Sequence, residues 1–219
     1  MGKNLALFLF LALSSFTIRA QQAPFYNDIE VFKKLDSITP PAKNQILFVG
    51  SSSFTNWVNV QDYFPGYPIL NRGFGGSSLQ DVIRYADDII FPYQPKQIVI
   101  YCGENDLAAS NTVSPEIVFK RFTELFRLIR NRIPGVPIAF ISIKPSPSRI
   151  VLLSKMSNAN DLIEKFLKKN ENAVFIDVYH PMLKSRQTVF SALFVDDNLH
   201  LNAQGYLLWR NIIEPYLLK

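Results

Sequence analysis

The sequence predicts an α/β fold in three layers, with helices on both faces of a parallel sheet, and three observations carry that expectation. Five short apolar runs, Gln45–Val49, Pro68–Leu70, Gln97–Cys102, Pro137–Ile143 and Ala173–Val178, are rich in Ile, Val and Phe and lack clean polar alternation, as strands buried on both faces do. Between them lie segments whose apolar residues recur every third or fourth position, the stripe of a helix packed on a sheet. Strand and helix patterns therefore alternate, and right-handed crossovers turn such an alternation into a parallel sheet covered on both sides.

Taken in order, residues 1–20 have the makeup of a secretory leader. Lys3 supplies the positive end, Leu5 to Leu13 the apolar stretch, and Ala20 a small residue before Gln21 and Gln22. The apolar stretch is much shorter than the about 20 residues that span a bilayer, and no cysteine follows it to carry a lipid. The expectation is cleavage after Ala20, a secreted or periplasmic protein with no stable membrane insertion, and one domain over residues 21–219. An uncleaved anchor helix is the alternative.

The first strand runs into Gly50, Ser51, Ser52 and Ser53, and the second into Asn71, Arg72, Gly73, Phe74, Gly75 and Gly76. Helical periodicity marks Leu79–Ile90. The third strand is followed by Gly103, Glu104, Asn105 and Asp106. The clearest helix begins with Ser114 as N-cap, Pro115 in its first turn and Glu116 beside its positive end, and its stripe is Val118, Phe122, Leu125, Ile129 and Ile133. After the fourth strand come the loop Lys144–Arg149 and a helix over Met156–Leu167. The fifth strand leads past His180 to Asp196, Asp197, Asn198, Leu199 and His200, and Asn202 caps a last helix through Leu208 and Trp209 towards Pro215.

Composition removes several function classes. A chain of 219 residues, 48% hydrophobic, buries roughly 70% of its unfolded surface and needs no staples. Cys102 is the one cysteine, which excludes a disulfide framework. With His180 and His200 the only histidines, a zinc site of four Cys or His ligands is excluded as well. Without Lys3 and Arg19, 21 basic residues face 18 acidic ones, a formal +3, which is no nucleic-acid signature. The basic run Lys120, Arg121, Arg127, Arg130 and Arg132 reads as a solvated helix face.

In a parallel sheet every strand-to-helix loop lies at the carboxyl edge, where ligands bind. Each of the groups after strands one, two, three and five has a bland reading alone: serines cap helices, Gly-Gly and Asn-Asp make turns, and a lone histidine is often structural. Together they offer a nucleophile, a base, an orienting carboxylate and hydrogen-bond donors in the order Ser, Asp, His. The neighbouring serines Ser51 and Ser53 are open alternatives for the exposed hydroxyl. His180 reads as structural or as a wall of the cleft, and Cys102 as a buried, inert thiol.

Gly-x-Ser after strand one, Asn-x-Gly-x-Gly-Gly after strand two, Gly-Glu-Asn-Asp-Leu after strand three and the late Asp-x-x-His resemble the four blocks of the SGNH hydrolases, the GDSL-type esterases and lipases. The resemblance spans about Gln45 to Tyr206. It implies a flavodoxin-like three-layer fold with five parallel strands in the order 2-1-3-4-5, and a hydrolase needing no metal or cofactor. Carried over by position, it implies Ser52 as nucleophile, His200 as base and Asp197 as its acid, with the backbone N–H groups of Ser52 and Gly76 and the amide of Asn105 as the oxyanion hole. One position departs: Ser51 stands where many members carry Asp, which bears on support of the loop.

A serine hydroxyl attacks only when a base takes its proton, and an imidazole of ordinary pKa about 6.5 does so near neutral pH. The expected reaction is hydrolysis of short-chain esters, acetyl above all, on a small-molecule or carbohydrate substrate, with Phe54, Trp57, Arg72, Phe74 and the loop Lys144–Arg149 as candidate contacts. A lysophospholipase or thioesterase is the alternative within the resemblance. Outside it stand a secreted binding module that lost catalysis and a flavodoxin-like redox protein whose Ser-rich loop cradles a flavin phosphate.

Overall fold

In the computed structural model, which describes residues 22–219, the chain starts with a helix that the apolar pattern does not announce, α1 (Tyr26–Ile38). Ile29 is its buried position, while Val31, Leu35 and Ile38 face solvent, so no single apolar stripe marks it. The expected leader and its cleavage point lie outside the described residues.

Then follow β1 (Ile46–Gly50), the short helices α2 (Ser52–Thr55) and α3 (Val60–Tyr63), β2 (Ile69–Gly73), α4 (Leu79–Arg84), α5 (Ala86–Ile89), β3 (Gln97–Tyr101), α6 (Glu104–Ala109) and α7 (Pro115–Arg132). The second half holds β4 (Ile138–Ile141), α8 (Leu153–Leu167), β5 (Ala173–Ile176), the hairpin strands β6 (Leu183–Ser185) and β7 (Thr188–Val189), and α9 (Ala203–Ile213). The expected five-stranded parallel sheet forms, in the order β2-β1-β3-β4-β5. Every residue of β1, β3 and β4 is buried, which is why those runs carry no polar alternation.

Two apolar layers cover the sheet. On one face Phe48 of β1 meets Phe54 of α2 at 4.8 Å between ring centroids, and Tyr101 of β3 meets Trp209 of α9 at 4.9 Å. On the other, Phe140 of β4 packs on Phe122 of α7, and Phe166 of α8 closes on Phe126 at 5.1 Å. Ser114 accepts from Ile117 N–H, and Asn202 accepts from Gln204 and Gly205 N–H, so both expected N-caps are in place.

Three sequence expectations are corrected. The second strand continues through Asn71, Arg72 and Gly73, residues expected to form its loop, because each polar group there finds a partner inside. Arg72 pairs with Asp36 of α1 and with Tyr93 Oη, and the Asn71 amide donates to Phe54 O at 2.7 Å. The helix expected over Leu79–Ile90 breaks at Tyr85 into α4 and α5. The basic face of α7 is not merely solvated: Arg121 pairs with buried Asp106 at 2.8 Å, Arg130 donates to the carbonyls of Val136, Glu171 and Asn172, and Arg132 pairs with Asp87. Among the described residues no helix is long and apolar enough to cross a membrane.

Candidate active site

The site begins where β1 ends. Gly50 has φ +142, and a Cβ there would sit 1.8 Å from the carbonyl oxygen of Tyr101. With no side chain, β1 closes on β3 and Ser51 N–H donates to that same oxygen at 3.0 Å. The chain then turns into α2, burying Ser51 and Ser53 and leaving Ser52 part-exposed on the carboxyl edge.

The second half of the pair comes from the loop before α9. A bridge between Phe194 and Leu201 closes this loop, Asn198 adopts φ 56 at its tip, and the Asn202 amide ties it to the carbonyls of Ala192 and Phe194. Asp197 Oδ1 accepts the backbone N–H groups of Leu199 (2.8 Å) and His200 (2.9 Å), while Oδ2 lies 2.6 Å from His200 Nδ1. His200 Nε2 is 3.1 Å from Ser52 Oγ. A neutral imidazole that donates from Nδ1 to a carboxylate accepts at Nε2, so the Ser52 hydroxyl donates to it. Of the three neighbouring serines, Ser52 is the one brought to the histidine.

Burial opposes ionisation of Asp197, but hydrogen bonds from the His200 backbone and ring and from Leu199 N–H outweigh it and bring the carboxyl down to about 2. Asp197 is therefore an anion at neutral pH.

Gly76, at φ +83 between β2 and α4, and Asn105, in the first turn of α6, complete the cleft. Among the described residues, neither Ser52 N–H nor Gly76 N–H has an acceptor. The Asn105 amide is engaged: Nδ2 donates to Ser51 Oγ (2.7 Å) and to Ser77 O (3.1 Å), and Oδ1 accepts from Arg149 (3.0 Å). It can donate to a further oxygen only by releasing or sharing one of these bonds. Ser51, in the place expected for Asp, still supports the loop: its backbone holds β3 and its hydroxyl holds Asn105.

Beneath the cleft lies a charged cluster that the sequence did not reveal. Glu104 accepts from Tyr101 Oη (2.7 Å), from Lys144 Nζ (3.0 Å) and from Arg149 (3.2 Å), and Lys144 also donates to Leu199 O (2.8 Å). Burial lowers the Lys144 ammonium from its ordinary range while Glu104 opposes that shift. The cluster joins the loops after β3 and β4 to the one carrying His200. Asp106 does similar work next door, accepting from Leu79 N–H (2.9 Å) and Arg121.

The cleft measures about 380 Å³ and is lined by Ser52, Gly75, Gly76, Asn105 and His200 together with Asn56, Arg149 and Leu199. Arg149 lies in the loop expected to contact substrate, whereas Lys144 of that loop is 1% exposed and sits below it. Asn56, Gly75 and Leu199 were given no role by the sequence: Gly75 and Leu199 lie inside the second and last blocks at positions with no polar side chain, and Asn56 only follows the first block. The expected contacts Phe54, Trp57, Arg72 and Phe74 are corrected, because all four are buried in the core. Phe54 packs on Phe48, Trp57 stacks on Tyr206 at 4.7 Å, and Phe74 meets Phe25 at 5.3 Å, while Arg72 is held by Asp36. His180 does not reach the cleft lining, and Cys102 is buried with its thiol pushed up by that burial. Among the described residues no cluster of three or more His, Cys, Asp or Glu is placed to hold a metal.

The sequence model of the GDSL-like lipase/acylhydrolase family matches residues 36–208. No curated protein sequence matches the chain. Among solved structures it is similar to a Bacteroides fragilis protein described as an acylhydrolase, 21% identical with a TM-score of 0.73 over 87% of this chain and 96% of that one. A GDSL-like lipase from Bacteroides thetaiotaomicron is 20% identical, with a TM-score of 0.71 over 86% and 96%. An acetylxylan esterase from Geobacillus stearothermophilus is 14% identical, with a TM-score of 0.62 over 79% and 93%. At these identities the likeness is one of fold.

Proposed function

The chain belongs to the GDSL-like lipase/acylhydrolase family, and from that premise we propose that it is a secreted serine esterase removing short acyl groups, acetyl above all, from carbohydrate esters. The observation that carries the proposal is the unbroken hydrogen-bond relay from Ser52 through His200 to Asp197, beside two backbone N–H groups that have no acceptor among the described residues.

Ser52 Oγ attacks the ester carbonyl carbon as its proton passes to His200 Nε2. The carbonyl oxygen becomes an oxyanion that takes hydrogen bonds from Ser52 N–H, Gly76 N–H and the Asn105 amide. Asp197 keeps the proton on Nδ1 and balances the imidazolium. As the carbon–oxygen bond to the alcohol breaks, His200 returns the proton to the leaving oxygen, and the acyl group stays on Ser52. A water molecule then loses a proton to His200 and attacks the acyl carbon; the bond from that carbon to Ser52 Oγ breaks, His200 returns the proton to Oγ, and the free acid leaves.

The cleft wall favours a short acyl group. Among the described residues lining it, Leu199 is the one apolar side chain, so added methylenes find little surface on which to gain the about 0.8 kcal/mol that burial of each would bring. Export rests on the leader-like makeup of residues 1–20. The carbohydrate alcohol follows from an extracellular setting and from the acetylxylan esterase among the structural relatives.

The test is hydrolysis of p-nitrophenyl acetate, butyrate and octanoate by the wild type and by Ser52→Ala. Acetyl preference abolished in the variant supports the proposal. Octanoyl preference would redirect it to lipids, and activity surviving in Ser52→Ala would remove the nucleophile.

A further inference from the structure

A second Asp-x-x-His turn stands outside the cleft. Asp177, just past β5, repeats the geometry of Asp197: Oδ1 accepts the N–H groups of Tyr179 (2.9 Å) and His180 (3.2 Å), and Oδ2 lies 2.8 Å from His180 Nδ1. In the cleft the outer nitrogen of such a histidine meets Ser52. Here Nε2 has no partner among the described residues, and the ring, 69% exposed, lines a groove of about 850 Å³. Arg186, at the tip of the β6–β7 hairpin, lines the same groove and makes no ion pair among the described residues.

The groove and the cleft are lined by neighbouring residues of one turn. Arg149 lines the cleft, and the next two residues, Ile150 and Val151, line the groove, so the turn Pro147–Leu152 is the ridge between them. Ser148 N–H donates to Asn198 O at 3.0 Å, which ties this ridge to the loop carrying His200. Strand order separates Gly76, which follows β2 at one end of the sheet, from the groove, which follows β5 at the other. In the esterase reading the leaving oxygen takes its proton from His200, whose loop is tied to this ridge, while the Gly76 N–H serves the carbonyl oxygen on the side away from the groove.

Building on the esterase reading of Ser52, we propose that this groove holds the alcohol part of the substrate and that the alcohol is an oligosaccharide. With Nδ1–H held by Asp177, His180 Nε2 accepts a sugar hydroxyl, and Arg186 donates to hydroxyl and ring oxygens. Val151, 87% exposed, and Ile150 present apolar surface to the C–H faces of the rings. An alkyl chain in the same place would strip water from His180 and Arg186 and return no hydrogen bonds.

The test compares wild type, His180→Ala and Arg186→Ala on p-nitrophenyl acetate and on a panel of acetylated xylo-, manno- and gluco-oligosaccharides. Both side chains are exposed, and unchanged melting temperatures verify folding. The p-nitrophenyl ester is confined to the cleft, so its kcat/KM stays within about two-fold, while kcat/KM for the preferred oligosaccharide falls about three- to ten-fold per variant through KM, the worth of one hydrogen bond. The deacetylated oligosaccharide competes with p-nitrophenyl acetate in the wild type and competes less in the variants. Equal losses on both substrates, a loss in kcat alone, or a panel that is neither hydrolysed nor competing overturns the groove assignment. Each of those results leaves the esterase standing, whereas p-nitrophenyl acetate hydrolysis that is absent, or that survives Ser52→Ala, removes the esterase reading itself.

Discussion

Replacing Asn105 separates the support it gives the loop from the donation to an oxyanion proposed for it. Its amide orientation is fixed by chemistry, since the Ser77 carbonyl can only accept and the Arg149 guanidinium can only donate. Asn105→Ala removes three hydrogen bonds, to Ser51, Ser77 and Arg149. Arg149 keeps Glu104, and the Ser77 carbonyl keeps the Cys102 thiol, so the expected loss of stability is about 1 to 3 kcal/mol. Loss of one oxyanion donor raises the barrier by roughly 2.7 to 4 kcal/mol, a fall in kcat of about 10² to 10³. KM should change little, because the interaction forms fully only as the oxygen gains charge. Steady-state kinetics on p-nitrophenyl acetate, with urea unfolding in parallel, measure both. A folded variant whose kcat stays within about five-fold of wild type has lost less than about 1 kcal/mol of barrier stabilisation, and that result would refute Asn105 as a donor.

Lys144→Ala leaves Glu104 with Arg149 as its remaining cationic partner, and breaking such a buried pair costs about 3 to 5 kcal/mol; a change below about 1 kcal/mol in urea unfolding would contradict the cluster's role. Gly50→Ala drives a Cβ into the Tyr101 carbonyl at positive φ, so the protein should lose about 3 kcal/mol or more, and a melting temperature equal to wild type would show that β1 and β3 can part there. Asp197 has its carboxyl at about 2 when folded against 3.8 ordinarily, so the stability from its ionised form is complete above about pH 4 and is lost as pH falls towards about 2. The melting difference between wild type and Asp197→Asn should therefore shrink across that window, and a constant difference would contradict the pairing.

The sheet was readable because β1, β3 and β4 are buried on both faces, so burial alone writes their apolar runs. The four blocks could be ordered because each follows a strand, and a parallel sheet places all such loops on one edge. What stayed hidden depended on pairing across the chain. Arg72 looked like a loop residue or a substrate contact because its partners, Asp36 and Tyr93, lie 36 and 21 residues away. Glu104, Lys144 and Arg149 look alike as isolated charges, yet the first two are buried beneath the cleft and the third lines it. Phe54, Trp57 and Phe74 sit beside the right blocks but face inward, and adjacency in sequence does not report which way a side chain turns. The second Asp-x-x-His, Asp177 to His180, stands in the sequence as openly as the first, but that it folds into the same turn shows only in the hydrogen bonds of Asp177.

In the proposed mechanism Ser52 carries the acyl group between two half-reactions. Mixing the enzyme with p-nitrophenyl acetate, quenching in acid within the first turnover and mapping the peptides by mass spectrometry tests it directly. One acetyl group is expected on the peptide containing Ser52, with none in Ser52→Ala and slower loss of the acetyl group in His200→Ala. An acetyl group on another residue, or turnover by the wild type with no acylated peptide at any quench time, would contradict it.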